Sequence, residues 1–320
     1  MLSLVIFHPS LVTPLHDIVS ASLDRHAQRQ QKVIPDHEPA ASLALDDTSP
    51  SDWRRVVDAL APFMKEKRVR SQIDSLNKRR SGLHLCLENV ADPFNAAGVL
   101  RTAEALGIQH IHVIESVSLF QLPANVAHAS ARGALGRADA SGDAACRWLS
   151  IHRHKSTAAA VRSMRDEFGL RIYVSDCPTV EPDEEGDEGA KTEGMGWVQS
   201  GTPAHVAAAK AIHELDFRSC FEGGNRGAVL CFGNERRGCS SQLVESACEA
   251  FYLPMSGFTQ SFNIGVALGM SLTAAIATGH FAEGTLTEDE RAELLGRWLI
   301  RDIKASRSLM AQAGIEFVDF

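Results

Sequence analysis

The sequence predicts an α/β fold with a parallel sheet, and two observations support that prediction. From Leu83 the pattern LHLCLEN alternates as a β-strand, a helical stretch follows as far as Leu106, and HIHVIE reads as the next strand. A strand, a helix and a strand in this order form a β-α-β unit, which implies parallel strands joined by right-handed crossovers. At 320 residues the chain is also long enough to bury a full α/β core and to carry appended helices.

The first helix of this unit follows a break at Asp92-Pro93. Asn95 is its predicted N-cap, and Gly107 is its predicted C-terminal stop. The apolar residues of the helix fall on one face, and Arg101 lies off that face. Arg101 is therefore not predicted to be a core residue.

Further strands are predicted at 171–176, 228–232 and 251–254. Residues 116–170 are Ala-rich and are predicted to be mostly helical. The acidic, Gly-rich segment 181–201 is predicted to be a disordered surface insertion. The whole of this pattern is typical of an α/β domain.

Helices are predicted at both ends of that domain and within it. Ser51 precedes apolar residues at helical spacing and is a predicted N-cap, while Thr287 and Glu290 form the sequence of a capping box before a long amphipathic helix. In a helix from about residue 262, Gly265 and Gly269 leave a shallow face that another helix can approach closely.

The formal net charge of −8, taken by itself, argues against a nucleic-acid partner, but the charge is unevenly distributed. Residues 181–193 hold seven acids and one lysine, so six of the eight negative charges come from this segment. Residues 65–80 hold seven basic residues and two acids. Such a stretch is either a solvated helical face or an arm that contacts phosphates, and the second interpretation depends on a neighbouring domain that handles RNA.

The cysteines indicate a reducing compartment. Seven cysteines, an odd number without a CxxC pair, argue against a disulfide framework or a zinc site. Cys86 and Cys231 lie in apolar runs and are predicted to be buried free thiols. A cytoplasmic location is the expectation, with organellar import left open by the basic residues of the first 50 residues. No apolar run reaches the roughly 18 to 20 residues of a membrane span, so no membrane partner is expected.

Most familiar catalytic motifs are absent from the sequence. It contains no GxSxG elbow, Walker A loop, HExxH or GxGxxG after a strand. His152 and His154 in IHRHKS resemble metal ligands in isolation, but no second cluster lies at ligand spacing. We therefore interpret them as exposed or loop histidines and expect no metal.

Polar residues follow three predicted strand ends. They are Asn95 with Arg101, the turn Gly233-Asn234-Glu235, and Ser261 with Asn263. Open parallel sheets bind ligands outside the carboxyl ends of their strands. Each group also has a structural alternative, because Asn95 can cap its helix, Arg101 can pair with a glutamate at i+3, and Ser261 can cap the last helix of the domain. The coincidence of three such loops favours a site.

Three segments at these positions resemble the motifs of the SpoU/TrmH family of RNA ribose 2′-O-methyltransferases, within the SPOUT superfamily. They read NVADPFNAAGVLRTAEALG, LCFGNERRGCS and LPMSGFTQSFNIGVALG, in the family's order. The resemblance covers roughly residues 83–280. The flanking helices at 51–80 and 287–312 are similar to those of the tRNA-modifying branch that methylates a D-loop guanosine.

The resemblance implies the architecture of the protein. It implies a SPOUT-type parallel sheet with a C-terminal trefoil knot, a homodimer, and S-adenosylmethionine as cofactor. The resulting division of the chain comprises a poorly ordered extension, a basic helical RNA-binding segment, the methyltransferase domain with its acidic insertion, and a C-terminal helical extension. Their residues are 1–50, 51–80, 81–280 with 181–201, and 281–320.

The resemblance also assigns roles to residues. Arg101 would activate the ribose hydroxyl, Asn95 and Ser261 would position the substrate, and Glu235 and Asn263 would shape the site. The predicted cofactor contacts are Ser175, Gly233, Leu253, Met255 and Phe262. The predicted RNA contacts are Lys65, Lys67, Arg68, Arg70, Lys78, Arg79 and Arg80.

One motif departs from the common family pattern. The third motif usually reads Ser-Leu-Asn-Val-Ser-Val-Ala, whereas this chain has Phe262 and Gly265 at the second and fifth positions. The polar residues expected to act in catalysis are retained. The sequence therefore predicts methylation of a ribose 2′-hydroxyl, with a tRNA guanosine as the favoured substrate, ribosomal RNA as the alternative substrate and a catalytically silent RNA-binding dimer as the alternative function.

Overall fold

A computed structural model describes residues 50–122, 143–175, 209–234, 237–259 and 261–316. These residues fall into two compact units, one spanning Arg79–Thr285 and one formed by the segments before and after it.

The larger unit is built on a sheet of seven parallel strands, which confirms the α/β prediction. The spatial order is β3-β2-β1-β6-β4-β7-β5. The strands are β1 Leu83–Glu88, β2 His110–Ile114, β3 Ser150–His154, β4 Leu170–Ser175, β5 Lys210–Ala211, β6 Gly227–Phe232 and β7 Glu249–Tyr252. β3 lies in a stretch predicted to be mostly helical, so that prediction is wrong there, and β7 begins and ends two residues earlier than predicted.

The helices follow in chain order. They are α1 Pro50–Leu60, α2 Glu66–Leu76, α3 Pro93–Ala105, α4 Asp143–Cys146, α5 Thr157–Arg162, α6 Ser241–Glu245, α7 Ile264–Ala277, α8 Glu288–Asp302 and α9 Ser306–Gln312. A π-helical turn, Ser163–Glu167, extends α5. Helix α1 begins at Pro50, so the predicted cap at Ser51 is wrong, whereas the capping box of Thr287 and Glu290 at the start of α8 is confirmed.

Helix α3 begins earlier than the sequence predicted. Asp92 is the N-cap, and its Oδ1 accepts hydrogen bonds from the backbone N–H of Phe94 at 2.7 Å and of Asn95 at 3.0 Å. Pro93 occupies the first helical position, where its missing N–H costs no hydrogen bond. The prediction of Asn95 as N-cap is therefore wrong, and its side chain is left for another partner.

Both faces of the sheet are covered, which explains why all six residues of β1 are buried. Leu85 and Leu87 face a core closed by α3 and α7, and Cys86 faces the opposite core, closed by α5 and α6. Alternate side chains of a strand point to opposite faces, so a strand between two helical layers is buried throughout. Cys86 and Cys231 pair in register as buried free thiols, as predicted.

The smaller unit joins helices from both ends of the chain. The ring of Trp53 in α1 lies so close to Gly296 in α8 that a Cβ there would be 2.7 Å from the Trp53 ring. The buried carboxylate of Asp302 accepts hydrogen bonds from Arg68 at 2.9 Å and Gln72 at 3.1 Å of α2. None of the described helices is long and apolar enough to cross a membrane.

Five histidines form a layer on one face of the β1–β2–β3 part of the sheet. We call His84, His110, His112, His152 and His154 the imidazole layer. Neighbouring rings are linked through their nitrogens, at 3.1 Å between His84 and His112, 3.0 Å between His110 and His152, and 3.2 Å between His112 and His154. The rings stack at centroid distances of 4.7 to 5.5 Å.

The imidazole layer corrects the interpretation of His152 and His154 as exposed or loop residues. Both lie on β3 and are half-buried. Burial and the neighbouring rings lower the pKa of His110 to about 3, and they lower the pKa values of His84 and His112 well below the ordinary value. In the described part of the chain, no group of three or more His, Cys, Asp or Glu residues has a geometry suited to a metal ion. These ring nitrogens face one another instead.

Candidate active site

Four neighbouring strands, β1, β6, β4 and β7, end at the same edge of the sheet because all are parallel. We call this the loop edge, and it is defined by the last residues of these strands: Glu88, Phe232, Ser175 and Tyr252. The loops that carry the three predicted motifs leave the sheet here. Parallel sheets bind their ligands at such an edge.

The first and third motifs meet through a direct hydrogen bond. The Asn263 Nδ2 donates to Asn95 Oδ1 at 2.9 Å. Asn263 also caps α7, because its Oδ1 accepts from the backbone N–H of Gly265 at 2.9 Å, so the alternative of Ser261 as the cap is excluded. One asparagine therefore fixes the start of α7 and joins it to α3.

The two helices that carry these asparagines pack closely. A Cβ at Gly269 of α7 would lie 3.4 Å from Thr102 Cγ2 of α3, which is ordinary van der Waals contact. The shallow glycine face predicted for α7 thus receives another helix, as expected. This packing holds Asn95 and Asn263 together.

Arg101 lies six residues after Asn95 on α3, about 9 Å along the helix axis. Its side chain is exposed, as the apolar pattern predicted. The predicted alternative partner at i+3, Glu104, instead accepts a hydrogen bond from Arg79 at 2.8 Å. Arg101 is thus a solvent-accessible cation on the helix that also carries Asn95.

The predicted cofactor contacts fall at three adjacent strand ends. Ser175 ends β4, Gly233 follows β6, and Leu253 follows β7. β4 lies between the other two strands, and its Ser175 pairs in register with Phe251. The structure therefore brings together residues that lie far apart in the sequence.

Gly233 has a steric requirement of its own. A Cβ at this position would lie 1.9 to 2.2 Å from the backbone of Gly238 and Cys239, closer than any real Cβ contact. Asn234 and Gly238 exchange two backbone hydrogen bonds at 3.0 and 2.8 Å and close the turn. Only glycine fits where the chain crosses itself this tightly.

The loop after β7 has the donor set expected of a cofactor loop. Within the described residues, the backbone of 254–259 forms no hydrogen bond. The N–H groups of 255–259 and the C=O groups of 254–259 thus have no hydrogen-bond partner among the described residues. Met255 is half-buried and Phe262 is 37 % exposed, so each offers apolar surface to a flat ring. These features fit an adenine nucleoside.

Several predicted segments lie outside the described residues. They include the candidate Glu235, the extension over 1–49 and the acidic insertion 181–201. The predictions for these segments stay predictions. Ser261 is described, and it is exposed two residues before Asn263.

The seven predicted RNA contacts differ in how deeply their side chains are buried. Arg79 is 1 % exposed, and it donates to Glu104 and to the carbonyl oxygen of Ile108, so a phosphate cannot reach it. We therefore remove Arg79 from the predicted set. Arg80 is nearly buried and pairs with Glu283 at 2.9 Å.

The remaining predicted RNA contacts are exposed. Arg68 and Arg70 form ion pairs with Asp302 and Glu66. The other three predicted contacts are exposed and form no ion pair within the described residues: Lys65, Lys67 and Lys78.

Glu88 and Asn89 are two residues at the loop edge that the sequence did not single out. Glu88 is a charged residue only 2 % exposed. Asn89 has a φ of 55°, the only positive φ among the described non-glycine residues. The available signal was an acidic residue at the end of a predicted strand that is followed by a polar loop.

Comparison with known proteins identifies the family of this chain. Residues 82–273 match the sequence model of the SpoU rRNA Methylase family. The tRNA (guanosine(18)-2′-O)-methyltransferase of Aquifex aeolicus is 22 % identical over 247 residues, covering 76 % of this chain and 93 % of the relative. The enzyme of the same name from Thermus thermophilus is 22 % identical over 238 residues, covering 73 % and 96 %.

A solved structure shares the fold. The crystal structure of the A. aeolicus TrmH/SpoU tRNA modifying enzyme aligns with a TM-score of 0.52 at 20 % identity, over 74 % of this chain and 98 % of that one. The fold and the family match together define an RNA methyltransferase of the α/β class. Because the family match spans more than half of the chain, the protein belongs to the SpoU rRNA Methylase family.

Proposed function

We propose that this protein methylates a ribose 2′-hydroxyl of tRNA, with S-adenosylmethionine as the methyl donor and a guanosine as the acceptor nucleoside. The family membership supports the chemistry, and the names of the relatives support the tRNA substrate. The observation that supports the site most directly is the hydrogen bond between Asn95 and Asn263, because it joins the first motif to the third.

S-adenosylmethionine would lie against the loop edge, where Ser175, Gly233 and Leu253 end or follow adjacent strands. The backbone of the loop after β7 would contact adenine, with Met255 and Phe262 packing against the ring. When bound, the cofactor supplies an electrophilic methyl group on a sulfonium sulfur. Transfer breaks that carbon–sulfur bond as a carbon–oxygen bond to the ribose forms, and the hydroxyl proton is released.

The chain's own residues would orient the acceptor. A guanidinium keeps its proton, so Arg101 is unsuited to act as a base. We assign it to the phosphate next to the reacting ribose, where it would bind two oxygens and place positive charge beside the developing alkoxide. Asn95 and Ser261 would position the ribose, and Glu235 and Asn263 would shape the site. Positioning of this kind can supply much of the catalysis.

An RNA-binding segment would lie on α2 and its flanks. Lys65, Lys67 and Lys78 are exposed lysines suited to phosphate contacts. Arg68 and Arg70 could add to them by exchanging their carboxylate partners for phosphate. These contacts would provide affinity without reading a base sequence.

The assembly belongs to the same proposal. Val266 and Met270 of α7 are 50 % and 44 % exposed and lie one turn apart, and such an apolar stripe supports a homodimer contact. We also propose the trefoil knot of the family for the C-terminal part of the domain. The position of β6 between β1 and β4, both of which precede it in the chain, is compatible with that crossing.

The decisive experiment is methyl transfer from labelled S-adenosylmethionine to unmodified tRNA and rRNA transcripts, with mapping of the modified ribose. We expect methylation of tRNA at the 2′-hydroxyl of one guanosine. Transfer to rRNA alone would contradict the proposed tRNA substrate. Methylation of a base would contradict the proposed methylation of a ribose 2′-hydroxyl.

A silent RNA-binding dimer gives a different result. It would bind the transcripts and form a dimer without transferring label to either RNA. Calorimetry with S-adenosylmethionine, run on the same preparation, shows whether the cofactor binds in that case. Light scattering of the wild type and of Met270→Glu tests the proposed dimer contact, and an unchanged mass would contradict it.

A further inference from the structure

We propose that Glu88 and Asn89, the last residue of β1 and the residue after it, form a clasp that positions the turn 234–240 at the loop edge. The contribution of this clasp to cofactor affinity rests on the proposed function. The clasp itself is a property of the fold. Neither residue is expected to touch the reacting atoms, so both are positioning residues.

Glu88 fixes the far end of the turn. Its Oε2 accepts from the backbone N–H of Ser240 at 2.6 Å, and its Oε1 accepts from the hydroxyls of Ser240 and Thr157, each at 2.7 Å. The carboxylate is buried, and three donors from two other segments converge on it. A buried carboxylate is stable only with such a set of donors.

Ser240 also links Glu88 to the start of the next helix, α6. Its hydroxyl is the N-cap of α6 and accepts from the N–H of Leu243 at 3.3 Å while donating to Glu88. The point where the turn becomes a helix is therefore tied to β1. Because the backbone N–H of Ser240 cannot rotate away, it requires an acceptor at this position.

Asn89 fixes the near end of the turn. Its carbonyl oxygen accepts from Asn234 Nδ2 at 2.9 Å. Its side-chain Oδ1 accepts from the N–H groups of Val117 at 2.8 Å and Ser118 at 3.2 Å, which follow β2. The left-handed backbone of Asn89 is the conformation that lets one residue reach both neighbouring loops, and asparagine tolerates it better than most residues.

The two ends of the turn are thus held by consecutive residues of one strand end. The backbone of Gly238 and Cys239 packs directly against Gly233, so that a Cβ there would lie 1.9 to 2.2 Å from it. Loss of the carboxylate at Glu88 would release the Ser240 end alone. Gly238 and Cys239 would then lose their fixed position against the predicted cofactor contact at Gly233, while β6 remains paired on both sides.

Glu88→Gln tests this inference, because it keeps the shape of the side chain and removes the charge. An amide has one acceptor oxygen, so its NH₂ group would face donors that the carboxylate satisfied. We expect amide hydrogen exchange to accelerate about tenfold or more over 237–240, with β6 unchanged. The affinity for S-adenosylmethionine should fall about tenfold, with its KM rising similarly and kcat at saturating cofactor within about threefold.

Asp302→Asn is the matched control. Asp302 is also a buried carboxylate, and it accepts from Arg68 at 2.9 Å and from Gln72 at 3.1 Å. Both partners lie on α2 of the smaller unit, so this variant should accelerate exchange in α2 and leave cofactor affinity within about twofold. Equal losses of affinity in both variants would reduce the effect to general destabilisation and overturn the clasp.

The exchange measurement separates this inference from the proposed function. If the wild type binds no S-adenosylmethionine, the proposed function fails, yet faster exchange over 237–240 in Glu88→Gln alone still supports the clasp. Unchanged exchange in that region overturns the clasp whatever the cofactor does. Ser240→Ala provides a second variant, and its effect on exchange should be less than additive with that of Glu88→Gln because both remove the same contact.

Discussion

The imidazole layer and the loop edge are two polar regions of one sheet, and they differ in what satisfies their polar groups. In the imidazole layer, ring nitrogens on three adjacent strands bond to each other at 3.0 to 3.2 Å. At the loop edge, Asn95 and Asn263 come from distant segments and remain near solvent. In the sequence, the histidines resemble reactive residues more than the asparagines do. In the structure, the solvent-accessible polar groups are the amides of Asn95 and Asn263 and the guanidinium of Arg101 on α3.

Arg101→Lys is expected to have the largest effect on the loop edge. Lysine keeps the charge but cannot bind two phosphate oxygens in a planar fork, so kcat should fall about a hundredfold. Cofactor affinity should stay within about twofold, since the proposed cofactor contacts lie elsewhere. Single-turnover methyl transfer and calorimetry measure the two quantities. Near-normal turnover in this variant would refute the role of Arg101.

Acid should destabilise the protein through the imidazole layer. The folded-state pKa values of His84, His110 and His112 lie below the ordinary 6.5, so the unfolded chain binds more protons as the pH falls below that value. Their full contribution is present above about pH 6.5 and is lost toward about pH 3, where His110 titrates. At pH 5.5 His110 should cost about 1 kcal/mol of unfolding free energy, and the lowered pKa values of His84 and His112 should add to that loss.

Urea unfolding at pH 7.5, 6.5 and 5.5 measures this loss. The groups that face the layer are its own rings, the ring of Phe168, the carbonyl of Ser81 and the carboxylate of Glu167. His112→Asn should reduce the pH slope by close to one proton. If the free energy of unfolding does not change between pH 7.5 and 5.5, the imidazole layer is protonated without loss of stability, and this prediction is wrong.

The pair of asparagines should act as a unit. Asn95→Ala and Asn263→Ser each remove the hydrogen bond, and serine retains the ability to cap α7. Each change should lower kcat about tenfold, and the double variant should lose little more, which corresponds to a coupling of about 1 kcal/mol. A double-mutant cycle on single-turnover rates gives this value. Full additivity would mean that the two side chains serve the reaction independently.

The smallest effect is expected for the exposed lysines of the predicted RNA-binding segment. The buried Arg79 provides the comparison. Lys65→Gln with Lys67→Gln should weaken tRNA binding about fivefold and reduce the salt slope by about two, without changing stability. Arg79→Gln is the matched change at a buried cation, and it should lower stability and leave RNA affinity nearly unchanged, because it breaks the contact with Glu104. Filter binding across salt concentrations and thermal unfolding give both results. The reverse pattern would contradict the assignment of α2 and its flanks as the RNA-binding segment.

The sequence predicted most of the elements because their local signals are strong. The strand β1 and the capping box of α8 were predicted from neighbours within a few residues, and both are confirmed. β3 was missed because Ile151 is its only apolar residue, so no apolar alternation indicated a strand. The cap of α3 was misplaced by three residues, since Asp92, Pro93 and Asn95 all suit a helix start.

The candidate site was only partly predictable. The motifs located Asn95 and Asn263, but their contact depends on the packing of α3 against α7 across 168 residues of chain. The burial of Arg79 depends in the same way on the carbonyl of Ile108 and on Glu104. A basic run looks uniform in the sequence, and only its surroundings separate a structural arginine from an accessible lysine.

The sequence by itself determined the fold class, the family and the order of the polar loops, because these depend on periodicity and on motifs read along the chain. The tertiary structure alone decided which polar groups meet. It placed five histidines in one layer, and it brought the ends of β1, β6, β4 and β7 to one edge. It also directed Glu88 and Asn89 toward the turn 234–240. The physical reason is that hydrogen bonds and burial depend on distance in space, which parallel strand order sets independently of distance along the chain.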